Sequence, residues 1–425
     1  MLILFLVTLF VPLLLGVPVA FSLVISAIVL MASQDLFSSQ LIVQQFVGGI
    51  NSFSLLAVPF FMLAGELMNK GGITRRIVDV VSIWVGRFCG SLGYVAIISS
   101  MIFAGLSGSA IADTAALGGV LIPMMSERGY GKSRATGIVI SSGIIANIIP
   151  PSIGFILFGV VSGASISRMF MGGLVPGVII GCALMITWFF TARKDGLKAE
   201  PSTLSSSEKW HIFWQAIPAL LLPIFIIFGL RGGIFTPTEA GAIACAYALV
   251  VGMFIYKGFS WKDLPAVLLD TVRSTGKVLF IVGGSLTVSW IITASNLSSE
   301  LVSYFHGLVA HPVLLVLCCQ LLFILFGMVL DIVPIIMILV PVMIPLVNAA
   351  GVNLEYFGIL SIITMTFGLI TPPVGTVLYV GSGISRISIV EAVRGAFPFM
   401  MVEVAVIIAL SIFPQIVLVP LSIIM

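Results

Sequence analysis

Apolar residues run nearly unbroken through 1–33, 53–68, 133–149, 170–192, 212–230, 237–256, 278–294, 313–330, 354–370 and 396–425, with polar positions gathered between them. Each run approaches or exceeds the roughly 20 residues that cross a bilayer as a helix, so the pattern predicts about ten crossings and some shorter pieces. The first run carries neither a basic leader nor a small-residue cleavage site and reads as a retained helix. The most polar stretch, ARKDGLKAEPSTLSSSEKW at 192–210, holds four Lys/Arg and three acids around a Ser/Pro-rich middle. It divides the chain into a first repeat at 1–192, a cytoplasmic linker at 193–210 and a second repeat at 211–425.

The two parts are called repeats because their backbone punctuation recurs at one offset of 222 residues. Gly105 answers to Gly327, Pro123 to Pro345, Pro150–Pro151 to Pro372–Pro373, Gly159 to Gly381, Gly173 to Gly395 and Pro176 to Pro398. Glycine and proline dictate backbone geometry, so a shared set of them predicts a shared fold even where other side chains differ. Each repeat is expected to hold scaffold helices first, then a hairpin and a Pro-Pro broken helix. Duplicated broken helices in a membrane chain point to transport.

Composition removes the soluble alternatives. The chain is 60% hydrophobic and 8% charged, and its mean hydropathy is +1.26. With every backbone group needing an internal partner in lipid, the expected class is an all-α polytopic membrane protein. The net charge of +3 adds little, and five cysteines, mostly inside apolar runs, suggest neither a disulfide framework nor a metal site.

Charge placement sets the relation between the repeats. The segment from Gly90 to Ser126, interrupted at GLSGSAIAD (105–113), has Arg87 before it and Arg128, Lys132 and Arg134 after it, so both its ends read as cytoplasmic. Its counterpart at 312–348, interrupted at GMVLD (327–331), lies in a run from Val278 to Ser385 without one Lys or Arg. Its ends read as extracytoplasmic, so each segment enters and leaves on one side, and two such re-entrant hairpins entering from opposite faces are what an inverted-topology repeat requires.

The interruptions carry the candidate chemistry. At Gly105–Ser109 small residues allow a non-helical tip, and the hydroxyls of Ser107 and Ser109 can cap a half-helix starting near Ala110, with Asp113 in its first turn. Asp331 takes the place of Ser109 in the second hairpin, three residues before Pro334, which suits an N-cap. Both acids are read as caps or as ligand and ion contacts. Opposite the tips stand GIIANIIPPS (143–152) and GLITPPVG (368–375), where prolines free backbone carbonyls. Alkali cations favour carbonyl and hydroxyl oxygens, so two Na+ sites are expected, one between the first tip and the Asn147–Ser152 break, the other between Gly327 and the Gly368–Val374 break. Plain helix termination by Pro-Pro is the competing reading. An anionic substrate could sit where half-helix N-termini converge, with Ser107, Asp113, Asn147, Ser152 and Thr376 as candidate contacts.

The segments GLSGSAIADTAALGGVLIPMM (105–125), the Pro-Pro run from 143, FTPTEAGA (235–242) and GLITPPVG occur in an order that strongly resembles the large membrane (M, DctM-like) subunit of tripartite ATP-independent periplasmic (TRAP) transporters. The resemblance implies an inverted-repeat elevator transporter with two re-entrant helical hairpins, like those of the ion transporter superfamily. It implies sodium-coupled symport of an organic acid, a sialic or other sugar acid or a C4-dicarboxylate, across the bacterial inner membrane. One family sodium site then falls on Gly105, Ser107, Gly108, Ser109, Asn147, Pro150 and Ser152. The other falls on Gly327, Gly368, Thr371 and Val374, with Asp331 beside them. The implied partners are a small four-helix membrane subunit (Q type) on a separate polypeptide, a periplasmic substrate-binding protein (P type), the organic acid and membrane lipid, with no nucleic acid.

The alternative is a self-sufficient sodium- or proton-coupled carboxylate carrier without a binding protein. An intramembrane enzyme is disfavoured, since no Ser/His/Asp, paired-acid or metal-ligand spacing stands out. Glu239 in FTPTEAGA reads as a helix cap before a proton carrier, and 261–277 reads as an amphipathic helix lying at the cytoplasmic interface.

Overall fold

The computed structural model describes residues 2–199, 205–295 and 297–424; part of the expected linker, 200–204, lies outside the described residues. Ten helices lead up to the linker: α1 (Leu2–Leu14), α2 (Val19–Ser33), α3 (Ser39–Ile50), α4 (Ala57–Lys70), α5 (Ile73–Val85), α6 (Ser91–Ser107), α7 (Ala110–Glu127), α8 (Lys132–Gly143), α9 (Ile153–Ser162) and α10 (Ile166–Lys194). After it come α11 (Ser206–Arg231), α12 (Pro237–Val250), α13 (Leu264–Ala294), α14 (Leu297–Tyr304), α15 (His306–Val309), α16 (Pro312–Gly327), α17 (Ile332–Ala349), α18 (Leu354–Gly368), α19 (Thr376–Ser385), α20 (Ile389–Ile412) and α21 (Gln415–Ile424). Among the described residues the only strand-like pairing is a bridge between Cys89 and Ala199.

Shifting α7 by 222 residues reproduces the bounds of α17, and the same shift carries α6 onto α16, α8 onto α18, α9 onto α19 and α10 onto α20 to within a few residues. Both Pro-Pro bonds are cis. The tertiary contacts repeat as well, with the halves exchanged: α2 packs on α13 and α4 on α12, α7 on α19 and α17 on α9, α8 on α20 and α18 on α10. Such reciprocal pairing is what a two-fold relation between halves produces.

Several helix limits follow from local chemistry. Gly16, at φ +87°, ends α1 in a paired turn in which the Gly16 amide donates to Leu13 O and the Val17 amide to Pro12 O, and Pro18 then opens α2. The run 1–33 is therefore two packed helices, not one crossing. In the same way 396–425 divides at Pro414 into α20 and α21. Asn51 and Ser52, just after Gly48 and Gly49 at the end of α3, separate it from the segment leading into α4, which it meets at 56°, whereas the corresponding positions of the second half form the single 31-residue α13. The expected interfacial helix at 261–277 is thus mostly the first half of α13. By length and composition six helices among the described residues can cross a membrane, or seven with the bent α3–α4 pair, and shorter apolar helices fill the rest. The expected ten crossings counted these shorter pieces as full spans. Glu239 caps α12: its carboxylate accepts from the Thr236 amide and hydroxyl in a capping box.

Close helix crossings hold the two halves together. A Cβ on Gly395 of α20 would lie 1.9 Å from Ser133 O of α8, and one on Gly137 would lie 2.3 Å from Gly395 C, so glycine lets these helices touch backbone to backbone. Arg134 reinforces the crossing, donating to Gly395 O (3.0 Å) and pairing with Asp195 at the end of α10 (2.8 Å).

Candidate functional site

The chain folds into two helix–tip–helix hairpins, α6–α7 and α16–α17, each facing a broken helix. In the first hairpin Gly108, at φ +62°, closes α6, and a Cβ on it would meet Pro151 O at 2.7 Å and Ile153 N at 3.3 Å. Only glycine can place the tip this close to the break. Gly105 lies on the same side, with its Cβ position 3.5 Å from Pro150 O. Asn147 joins the two elements: its Oδ1 accepts from the Ala110 amide at 3.1 Å, and its own carbonyl accepts from Ser152 Oγ at 2.6 Å. Ser109 and Ser152 are N-caps of α7 and α9, receiving the amides of Ala112 and Phe155. Ser107 accepts from the Ser109 amide and donates to the buried Asp113. Gly105, Ser107, Gly108, Ser109, Asn147, Pro150 and Ser152 are therefore brought together where the first tip meets its break.

The second hairpin meets its break through glycine too. Gly327 and Gly368 lie in direct backbone contact, and Met328 O accepts from the amides of Val374 (3.2 Å) and Gly375 (2.9 Å). Thr371 folds back on α18, its amide donating to Gly368 O and its hydroxyl to Phe367 O. Gly327, Gly368, Thr371 and Val374 are thus brought together. Met328 was missed by sequence reasoning, because an apolar side chain gives no sign that its carbonyl is the bridging group. Asp331 caps α17 through the Ile332 amide at 2.8 Å and at the same time lines a cavity shared with the first tip.

That cavity, about 130 Å³, is walled by Ser109–Ile111, Asp331–Val333 and Ile153–Gly154, which are the N-terminal ends of α7, α17 and α9, together with Asn147. Met62 of α4 and Val278 of α13 close the other side. Its lining includes no Lys, Arg or His. The positive ends of three helix dipoles face one space, while Asp331 supplies one acid. A cleft of about 300 Å³ shares Met62, Ser109, Ile111 and Ile153 with it. Of the proposed substrate contacts, Asn147 lines the cavity and Ser107 the cleft; Asp113, Ser152 and Thr376 line neither. The described residues contain no cluster of three His, Cys, Asp or Glu fit for a metal ion.

Comparison with known proteins agrees with the architecture. A family profile described as "Tripartite ATP-independent periplasmic transporter, DctM component" matches residues 6–416. The chain is 44% identical over 407 residues to the 2,3-diketo-L-gulonate TRAP transporter large permease protein YiaN of Escherichia coli, covering 96% of each chain. It is 36% identical over 400 residues to the sialic acid TRAP transporter large permease protein SiaM of Vibrio cholerae, covering 94% of this chain and 93% of that one. Among solved structures, the Alcanivorax borkumensis YdaH transporter superposes with a TM-score of 0.59 at 14% identity over 88% of this chain and 87% of that one, a likeness of fold.

Proposed function

The chain belongs to the DctM component family of the tripartite ATP-independent periplasmic transporters, and from that premise we propose that it imports an organic acid together with sodium by an elevator movement. As a family member it is a multi-pass inner-membrane transport subunit and not an enzyme. The observation that carries the proposal is the meeting of two glycine-built tips with two Pro-Pro breaks, which leaves oxygen-rich junctions on either side of a cavity faced by three helix N-termini.

Sodium is the coupling ion in this reading because both junctions offer backbone carbonyls and hydroxyls without nitrogen or sulfur ligands. The first junction comprises Gly105, Ser107, Gly108, Ser109, Asn147, Pro150 and Ser152, the second Gly327, Gly368, Thr371 and Val374. The substrate carboxylate is held by helix-terminal amides, since the cavity has no basic side chain. At about 130 Å³ the cavity is smaller than the roughly 300–1,000 Å³ of typical ligand sites, so it seats the carboxylate end of the acid rather than the whole molecule. The hairpins and broken helices move as one body against α4, α12, α13 and their neighbours. A sugar acid is the favoured substrate, as the named relatives carry 2,3-diketo-L-gulonate and sialic acid. A small four-helix membrane subunit and a periplasmic binding protein complete the system.

The test is uptake into proteoliposomes of both labelled acids, with sodium, potassium or proton gradients and with each partner omitted in turn. Uptake that needs an inward sodium gradient and both partners supports the proposal. Uptake by this chain alone, or with a proton gradient only, contradicts it.

A further inference from the structure

The cleft of about 300 Å³ beside the first tip is richer in hydroxyls than the cavity it adjoins. α4 contributes Gly65, Glu66 and Asn69, the tip contributes Ser107 and Ser109, and α13 contributes Thr271 and Ser274. Gly65 sets the approach: a Cβ there would lie 3.4 Å from Ser107 Cα, so the α4 backbone runs directly against the tip and presents the exposed Glu66 next to it. Lys70 ends α4, and Arg273 and Lys277 lie on the same stretch of α13, which puts the mouth of the cleft on the cytoplasmic side.

The polar lining consists of one carboxylate, one amide and four hydroxyls, with no Lys, Arg or His among the lining residues. Between the apolar Met62, Phe103 and Ile153, these oxygen-bearing groups carry one negative charge and no positive one, a lining that attracts a small hard cation. Ser107 belongs to both places, since it lines the cleft and donates to Asp113 behind the tip. We propose that this cleft is the cytoplasmic vestibule of the first cation site, and that the Glu66 carboxylate concentrates sodium there. The proposal rests on the sodium-coupled reading above and adds to it a residue of α4, outside both hairpins.

The test uses the purified chain and Na+ itself, following the rise of melting temperature with NaCl at constant total salt made up with choline chloride. At low total salt Glu66→Gln raises the half-saturating Na+ at least about threefold and Glu66→Lys raises it further, while Glu66→Asp stays near the parent. Raising choline chloride weakens sodium binding in the parent and brings the parent and Glu66→Gln curves together, because screening shortens the reach of an exposed charge to about 8 Å at physiological ionic strength. Unchanged half-saturation in all three variants, alongside a sodium-dependent parent, overturns the vestibule and leaves the sodium site standing. A shift that ignores both charge and salt is a packing effect and overturns it as well. A parent with no sodium-specific response is a different failure, that of the coupling-ion reading itself.

Discussion

Gly327 and Gly368 touch through their backbones: a Cβ built on Gly368 would lie 2.5 Å from Gly327 Cα, and one built on Gly327 would lie 2.8 Å from Gly368 Cα. Neither neighbour is a flexible side chain that could move aside. The second tip is thereby seated on its break at a single point where no side chain fits, with Met328 O receiving two amides from the far side of the Pro-Pro bend. Gly368→Ala is expected to push the tip away, at a cost of about 1–3 kcal/mol for overpacking. A lower melting temperature together with a weaker sodium response is the expected result. A variant with parental values for both would show that the contact is slack.

The first junction is built differently, since position 146 is Ala where the second half has Gly368. Here Asn147 supplies the connection, accepting from the Ala110 amide and from Ser152 Oγ. Asn147→Ala leaves the Ala110 amide without its partner and is expected to weaken sodium binding about tenfold, equivalent to about 1.4 kcal/mol, the scale of one buried hydrogen bond. Asn147→Asp retains the acceptor and adds charge at a helix N-terminus, so its loss should be smaller. Sodium titration of melting temperature distinguishes the two.

Gly395 and Ser133 mark where the halves cross. Gly395→Ala forces a methyl group against Ser133 O, and the helices must separate, which also pulls Arg134 from Gly395 O. A fall in melting temperature corresponding to about 1–3 kcal/mol is expected. Arg134→Lys, which loses the fork that serves Gly395 O and Asp195 together, should fall less.

Gln320 on α16 is buried, and its amide oxygen and nitrogen have no hydrogen-bond partner among the described residues. Removing an unpaired buried polar group for an apolar one of similar size is favourable, so Gln320→Leu is expected to raise stability by about 1–3 kcal/mol. A lower melting temperature in detergent would reveal a partner for the amide. Glu403 on α20 is in the same condition, both carboxylate oxygens buried and unpaired.

The hairpins and breaks were legible in the sequence because Gly105, Gly327 and the paired prolines act on the backbone directly, and their chemistry survives where side chains diverge. Asp331 could be read as a cap from Pro334 three residues later, and its carboxylate does receive the Ile332 amide. Apolar runs alone could not separate α1 from α2, because Gly16 and Pro18 interrupt the helix without adding polarity. The same blindness merged α20 with α21 and made short core helices count as crossings. Glu66 gave no signal either. Its place beside the first tip depends on Gly65 meeting Ser107 across more than 40 intervening residues, a contact that no local pattern encodes.

On the proposed function, the tip–break junctions hold sodium in the folded chain. The most direct measurement is the melting temperature of the purified protein across matched NaCl, KCl and choline chloride series. A ligand that binds the folded state alone stabilises it by about 2.7 kcal/mol at a hundred times its dissociation constant. A saturable rise with NaCl only, reduced in Gly368→Ala and in Asn147→Ala, is the expected result. Superimposable curves in the three salts would contradict it.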